Sequence, residues 1–344
     1  MHSVLLYPFW GGPPAQDSQL IRKILFNNNG FSATYRITDD VTNADAILMP
    51  YAHKTVRQYY PELLDLCAIA AKEADRPLVV DGIEDVEHPL HTPNTFVLRY
   101  GGYRFERTRR EIIVPPFTND LLELYQGGEL SIRAKNEKPI IGFTGWGKIT
   151  RLQTLRATTK ELPDRLHSMF DNRFKAKKKG IFFRMHAIQI LARSPLVVCD
   201  FIARSSYSGH IDTVSKNIHT LQKEFVDTLL KSDYGLDVRG DANASTRLFE
   251  ILSLGRIPVV IDTERNFPFS DKVDYSSFAL IVDFRDIRKL PERIAEFHKN
   301  ISSERFEQMQ RNARDTYVRY FRIDVLGQAI MEELRAKIAS SKGA

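Results

Sequence analysis

The feature that most narrows the fold is an alternation. Short apolar, β-branched runs alternate with longer stretches of helical spacing from the first residues to about Ser302. Strands of this kind are covered on both faces, and a helix between consecutive strands gives a parallel crossover. The runs predict strands at Val4–Tyr7, Ala46–Met49, Leu78–Asp81, Thr95–Leu98 and Ile112–Val114. In the second half they predict Ile140–Phe143, Leu196–Phe201, Tyr234–Val238, Pro258–Asp262 and Phe278–Val282. Helical periodicity falls near 19–26, 59–74, 153–161, 185–192, 218–231, 246–254 and 287–298, with a nearly all-helical end. The stretch from Gln126-Gly127-Gly128-Glu129 to Asn136-Glu137-Lys138-Pro139 is polar, glycine-paired and closed by proline, which is linker composition. The expectation is an α/β chain: Rossmann-like domains over 1–130 and 139–322, parallel sheets facing across a cleft, and a C-terminal helix and tail over 323–344. In open α/β sheets ligands bind beyond the carboxyl ends of the strands.

One such strand end is rich in chemistry. Tyr234-Gly235-Leu236-Asp237-Val238-Arg239-Gly240-Asp241-Ala242-Asn243-Ala244-Ser245-Thr246-Arg247-Leu248-Phe249-Glu250 reads as a strand, a small polar loop and a helix. Ser245 is placed to cap the helix through its hydroxyl. Leu248, Ile251, Leu252 and Gly255 recur at helical spacing, and Gly255 ends the helix. A strand-loop-helix offers amides and a positive dipole end to a phosphate. Arg239 and Arg247 would add charge-assisted bonds to a diphosphate, and Glu250, one turn in, would accept from vicinal hydroxyls such as those of a ribose. The plain alternative is an ordinary loop with a surface Arg–Glu pair. Neither a Walker lysine loop nor Gly-x-Gly-x-x-Gly is present, against a P-loop NTPase or a Rossmann dehydrogenase.

The formal charge of +6 suits a protein that handles anions and falls short of a nucleic-acid coat, so no nucleic-acid partner is expected. Cys67 and Cys199 sit in apolar runs, as buried thiols in a reducing compartment do. No run reaches the length of a membrane span, and no signal-like region precedes the first strand. These features point to a cytoplasmic protein, peripheral at a membrane if it meets one.

From Lys231 to about Phe321 the chain resembles the exostosin-like family of glycosyltransferases. The likeness rests on Ser232-Asp233-Tyr234-Gly235-Leu236, Arg239-Gly240, Ser245-Thr246-Arg247-Leu248-Phe249-Glu250, Gly255-Arg256-Ile257-Pro258-Val259, Pro268-Phe269 and Met309-Gln310-Arg311-Asn312. The family's usual cysteine-proline ahead of Arg-Gly is replaced by Asp237-Val238. In the first half only Ala44–Tyr51 and Ile113–Phe117 are similar in style. The resemblance implies a GT-B fold, with a nucleotide-sugar donor (a UDP-sugar first) on the second domain and a glycan or glycolipid acceptor on the first. It also implies inversion at the anomeric carbon and no metal or other cofactor, as in surface polysaccharide synthesis. Independently, the sequence contains no Asp-x-Asp, the carboxylate pair that holds a metal against a diphosphate. Arginines and helix-terminal amides would then stabilise the leaving group.

An inverting transfer needs a general base at a strand end of the first domain. The candidates are Asp81, Glu84 and Asp85 in Asp81–His88, where carboxylates crowd; His53; and Asp17. Phe143-Thr144-Gly145-Trp146-Gly147-Lys148 opens the second domain and would bring Lys148 to the diphosphate, or else is a tight turn with a buried Trp146. Residues 172–199 carry no acid and seven Lys or Arg. They form either a solvated loop or a guide for an acidic glycan, a lipid diphosphate or an anionic membrane surface. Within them Arg184 starts a helix and would point into the cleft. The aromatics of Tyr100–Phe105 would stack on a sugar or simply pack. The rival functions are a GT-B-like sugar-nucleotide epimerase and a non-catalytic polyanion-binding protein.

Overall fold

The computed structural model describes residues 4–9, 20, 35–84, 88, 90–150, 162–206 and 218–341. Two all-parallel sheets account for the predicted alternation. The first comprises β1 (Val4–Pro8), β2 (Tyr35–Ile37), β3 (Ala46–Ala52), β4 (Leu78–Asp81), β5 (Thr95–Arg99) and β6 (Glu111–Ile113), in spatial order β2-β1-β3-β4-β5-β6. The second comprises β7 (Ile140–Trp146), β8 (Val198–Arg204), β9 (Tyr234–Asp237), β10 (Ile257–Asp262) and β11 (Leu280–Asp283), in order β11-β10-β9-β7-β8. Every described strand pair is parallel. Two parallel sheets with Rossmann-like α/β winding are therefore present, as expected.

Both sheets share one winding. In each, the second strand lies to one side of the first and the chain then crosses to the other side. The switch points fall between β1 and β3 and between β7 and β9, and there the neighbouring loops diverge and leave a crevice.

All ten predicted strands are present, and the differences from expectation are local. Strand β2 is a three-residue edge, too short to register as a run. The helix predicted over 59–74 is Pro61–Glu73, and a further helix that was not predicted, His53–Tyr59, precedes it. Pro61 lacks an N–H and disfavours helical backbone at Tyr60, which sits at φ −143°, ψ 53°. The helices predicted near 19–26 and 153–161 lie outside the described residues, apart from Leu20. No helix among the described residues is long and apolar enough to cross a membrane.

One core joins the halves. Leu6, Leu48 and Phe96 of the first sheet share it with Leu248, Phe249 and Val260 of the second half and with Tyr317, Phe321, Ile330 and Leu334 near the C-terminus. Arg314 donates to Asp120 Oδ1 at 2.7 Å, and the Tyr317 hydroxyl donates to Thr118 O.

The linker-like stretch is not slack. The Gln310 side chain accepts from Arg133 N and donates to Arg133 O, at 2.9 and 2.8 Å. Buried Asp233 accepts from Arg133 Nε, Asn136 Nδ2 and Ile140 N. Lys135 Nζ donates to Ile301 O, and Arg256 donates to Ser131 O. Its polar residues serve as ties to the second half, which composition alone does not distinguish from solvation.

Candidate active site

The crevice at the second switch point is built by three arginines with different jobs. Arg184, from the helix Gly180–Arg193, is buried and spans the gap between the strand ends. Its Nη1 donates to Trp146 O (2.9 Å), and its Nη2 donates to Val238 O (3.1 Å) and Arg239 O (3.0 Å). Its Nε has no partner among the described residues. Burial, with the nearby Arg247 cation, pulls the guanidinium down to about 9, so it stays charged at neutral pH. The side chain thus ties the ends of β7 and β9 together at the floor of the crevice.

Arg247 sits in the first turn of the helix Thr246–Ser253, with its guanidinium 4.6 Å from the centre of the Phe143 ring. Its Nη2 donates to Thr144 O at 3.2 Å, and its Nε is buried without a partner among the described residues. Gly145 makes that approach possible. Its φ is +146°, and a Cβ there would lie 2.6 Å from Arg247 Nη2. Burial lowers the Arg247 pKa against the pull of Asp237 and Glu250. Glu250 is half-buried beside it, and its carboxyl is raised by burial, with Arg247 opposing and Asp237 adding.

Arg239 departs from expectation. It is 1% exposed, and its guanidinium donates to Gly240 O, Asp241 O, Ala176 O and Lys178 O. These hydrogen bonds fold the loop, so Arg239 shapes the crevice and does not reach into it. Asn243 is likewise a tie. Its amide donates to Gly102 O and Thr263 O and accepts from Thr263 Oγ1. Ser245 stands at the helix N-cap, but its hydroxyl donates to Asp237 Oδ1 and makes no cap bond. The first-turn amides therefore receive nothing from it. Thr246 and Lys148 are exposed at the mouth, and nothing lies within 4 Å of where a Gly240 Cβ would be. Trp146 is half-buried, and its Nε1 donates to Lys148 O.

A buried ion pair under the crevice escaped the sequence reading. Arg265 Nη1 lies 2.7 Å from Asp237 Oδ2, with side chains 3% and 0% exposed. The signal was available, since Asp237 replaces the family's cysteine-proline and Arg265 follows the end of β10. Asp237 is thus already matched, and Arg184, Arg239 and Arg247 stand against Glu250 and Asp241, which leaves the partly desolvated crevice net positive. That imbalance favours an anion.

The carboxyl ends of the two sheets meet. Arg104, in the loop after β5, bonds Asp262 Oδ2 (2.8 Å), Arg265 O (3.0 Å) and Glu264 Oε2 (3.1 Å). A Cβ on Gly101 would come 2.6 Å from Asn243 O. Tyr103 and Phe105 pack against protein: Arg173 covers the Phe105 ring, Phe105 meets Phe174, and Lys177 lies over Tyr103. They are occupied by the basic run itself, which is anchored by Lys177 Nζ–Glu106 at 2.6 Å.

In the first half, His53 follows β3 and is buried. Its Nδ1 is 3.3 Å from Glu84 Oε1. Glu84 Oε2 faces Arg57 (3.3 Å) and His88 Nδ1 (3.1 Å). Burial lowers the His53 pKa, partly offset by Glu84. Asp81 is buried at the end of β4 and accepts from Ile83 N at 3.0 Å. Sequence reasoning favoured the carboxylates here. The geometry gives Glu84 three neighbours, His53, Arg57 and His88, and makes it the group that orients His53; the parts of Arg57 and His88 were missed. Asp85 and Asp17 lie outside the described residues.

Against known proteins, residues 169–297 match the family model described as the Exostosin GT47 domain. The Exostosin-1 homolog of Caenorhabditis elegans is 31% identical over 116 residues, which is 33% of this chain and 29% of that protein. The match thus spans less than a third of the relative's length. Among solved structures, Anabaena Alr3699/HepE in complex with UDP-glucose aligns with a TM-score of 0.41 at 12% identity, over 97% of this chain and 100% of that one. A glycosyltransferase from Rickettsia africae ESF-5 aligns at 0.40 and 8% identity, over the whole of both. The residues that carried the resemblance in the sequence, 231 to about 321, overlap the matched segment, so over residues 169–297 this chain is similar to the Exostosin GT47 domain.

Proposed function

We propose that the protein is an inverting, metal-independent glycosyltransferase that moves a sugar from a nucleoside-diphosphate donor to a hydroxyl of a glycan acceptor. The donor is a UDP-sugar by the exostosin resemblance, and the setting is surface polysaccharide synthesis. The observation that carries this reading is the pair of arginines, Arg184 and Arg247, at the β7/β9 switch point, each with a buried Nε that has no partner among the described residues. A diphosphate placed there receives both cations and the first-turn amides of the helix Thr246–Ser253. Glu250, one turn further in, accepts from the ribose hydroxyls. Arg239, Asn243 and Ser245 hold the loop, and Lys148, Gly240 and Thr246 line its mouth.

In the reaction the acceptor hydroxyl oxygen bonds to the anomeric carbon from the face opposite the diphosphate. The bond from that carbon to the diphosphate oxygen breaks, and the electron pair leaves with the nucleotide. The acceptor's proton passes to the ring nitrogen of His53 that Glu84 does not face. A lowered pKa keeps that histidine neutral and able to accept at pH 7. Glu84 holds the ring and stabilises the imidazolium that forms, and Arg184 and Arg247 take up the charge on the leaving diphosphate.

Calorimetry with free UDP tests the donor site directly. Saturable binding to the parent chain, strongly weakened in Arg247→Ala, is the expected result. A parent chain that binds no nucleoside diphosphate refutes the reading.

A further inference from the structure

The helix Leu162–Phe170 turns a large apolar edge to solvent. Leu166, Met169 and Phe170 are 56%, 78% and 93% exposed. They stand at i, i+3 and i+4 and so share one face. Next to them on the helix, the His167 ring packs at a tilt against Phe174, centroids 5.3 Å apart, and Phe174 packs on Phe105, so the helix is seated with this edge outward. The following turn and helix carry the charge. Residues 162–199 hold eight Lys and Arg against two Asp, a net +6 that equals the formal charge of the whole chain. The rest of the molecule balances. Lys175 and Lys178 are exposed in the turn that follows the helix, the Lys178 ammonium lying over the Phe182 ring, and Arg173 is paired with Asp171 at 2.8 Å.

Two features select among occupants. Three side chains on one short helix fall far below the roughly 800 Å² per partner of a standard protein interface. A lipid surface needs no shape complementarity, and stable attachment to it takes both an apolar insertion and a basic patch. The same segment supplies both.

We propose that the edge Leu166–Met169–Phe170, with the basic turn after it, docks this protein on an anionic membrane surface. The three side chains enter the headgroup boundary, and the lysines meet the negative headgroups. This inference stands apart from the reading of the crevice, and vesicle binding neither requires nor reports nucleotide binding.

The test is co-sedimentation of the full chain with vesicles of phosphatidylcholine alone or with about one-third phosphatidylglycerol. Expected is partitioning onto the anionic vesicles that weakens with salt. The double change Met169→Ser with Phe170→Ser should lower it about tenfold or more, with melting temperature unchanged, because both residues are exposed. Lys175→Glu with Lys178→Glu should also lower it. Phe170→Trp should show blue-shifted emission on adding the same vesicles. The proposal is overturned by equal binding to neutral vesicles, by no binding to either, or by a double-serine chain that binds as the parent does. It is also overturned if the parent self-associates without lipid and the double-serine change abolishes that, because the edge would then serve a second copy of the chain.

Discussion

Glu84 Oε1 lies 3.3 Å from His53 Nδ1, although 31 residues separate the two in the chain. The end of β3 supplies the histidine and the loop after β4 the carboxylate, so a single strand pairing sets the dyad. His53→Ala should therefore collapse turnover while nucleotide affinity stays near the parent value. Glu84→Gln should lose less, because it keeps the hydrogen bond and loses only the charge. Turnover assays beside calorimetry separate the two effects. If His53→Ala retains turnover, the base is elsewhere.

The pH dependence has a defined sign. Burial lowers the His53 pKa below the usual histidine value of 6.5. Activity should then rise with pH along an acid limb whose midpoint lies below 6.5, and be flat above it. His298 is lowered too, again chiefly by burial. In both cases the unfolded chain takes up the proton first as pH falls. Stability should therefore begin to drop just below 6.5 and go on dropping until the folded-state values are passed. Urea melts across that range measure it.

Arg247 should tell whether the crevice stabilises a leaving diphosphate. Arg247→Ala should cost about 2–4 kcal/mol of transition-state stabilisation. Gly145→Ala should lower activity in the same direction, because its Cβ would lie 2.6 Å from Arg247 Nη2 and force the guanidinium to shift, at a φ of +146° that L side chains rarely adopt. Single-turnover kinetics with saturating donor would measure both.

Glu250 gives a pH signature for donor binding. Burial raises its carboxyl pKa, so it protonates at a higher pH than an exposed glutamate. Only the ionised form accepts from both ribose hydroxyls. Nucleotide affinity should thus fall with falling pH earlier than ordinary carboxylate titration predicts. Glu250→Gln should remove that dependence and weaken binding by about 1.5–3 kcal/mol. Calorimetry at several pH values shows whether the limb disappears.

The Asp237–Arg265 pair should matter for folding. Asp237→Ala leaves Arg265 as a buried cation without its partner, at a cost of about 3–5 kcal/mol. Denaturant unfolding monitored by circular dichroism measures the loss. A melt unchanged from the parent would show that the pair is not a stabilising element.

The strands were legible because a buried parallel strand is apolar on both faces, as Ala46–Met49 and Ile257–Asp262 are. The placement of Arg247 and Glu250 on one helix after β9 was legible because helical spacing ties them to a recognisable strand end. Other features depend on contacts between distant segments. Arg239 reads as a phosphate ligand until Ala176 O and Lys178 O, about sixty residues away, are seen to occupy it. Ser245 reads as a cap because nothing local reveals that Asp237 competes for its hydroxyl. The bonds from residues 127–139 to Asp233, Gln310 and Ile301 are equally invisible in composition.

Those bonds bear on how the protein moves. A domain hinge needs connecting chain whose backbone can turn without breaking contacts. Here the connection after Gln126 is fastened to the second half, and the returning helix Ile323–Ser341 is buried against the first. Swinging the sheets widely apart would forfeit both sets of contacts. The width of the cleft is therefore a fixed property of the packing, and passage of substrates falls to the loops at its rim. Donor residence time would then follow the lifetime of those loop contacts, Asn243 with Gly102 foremost among them.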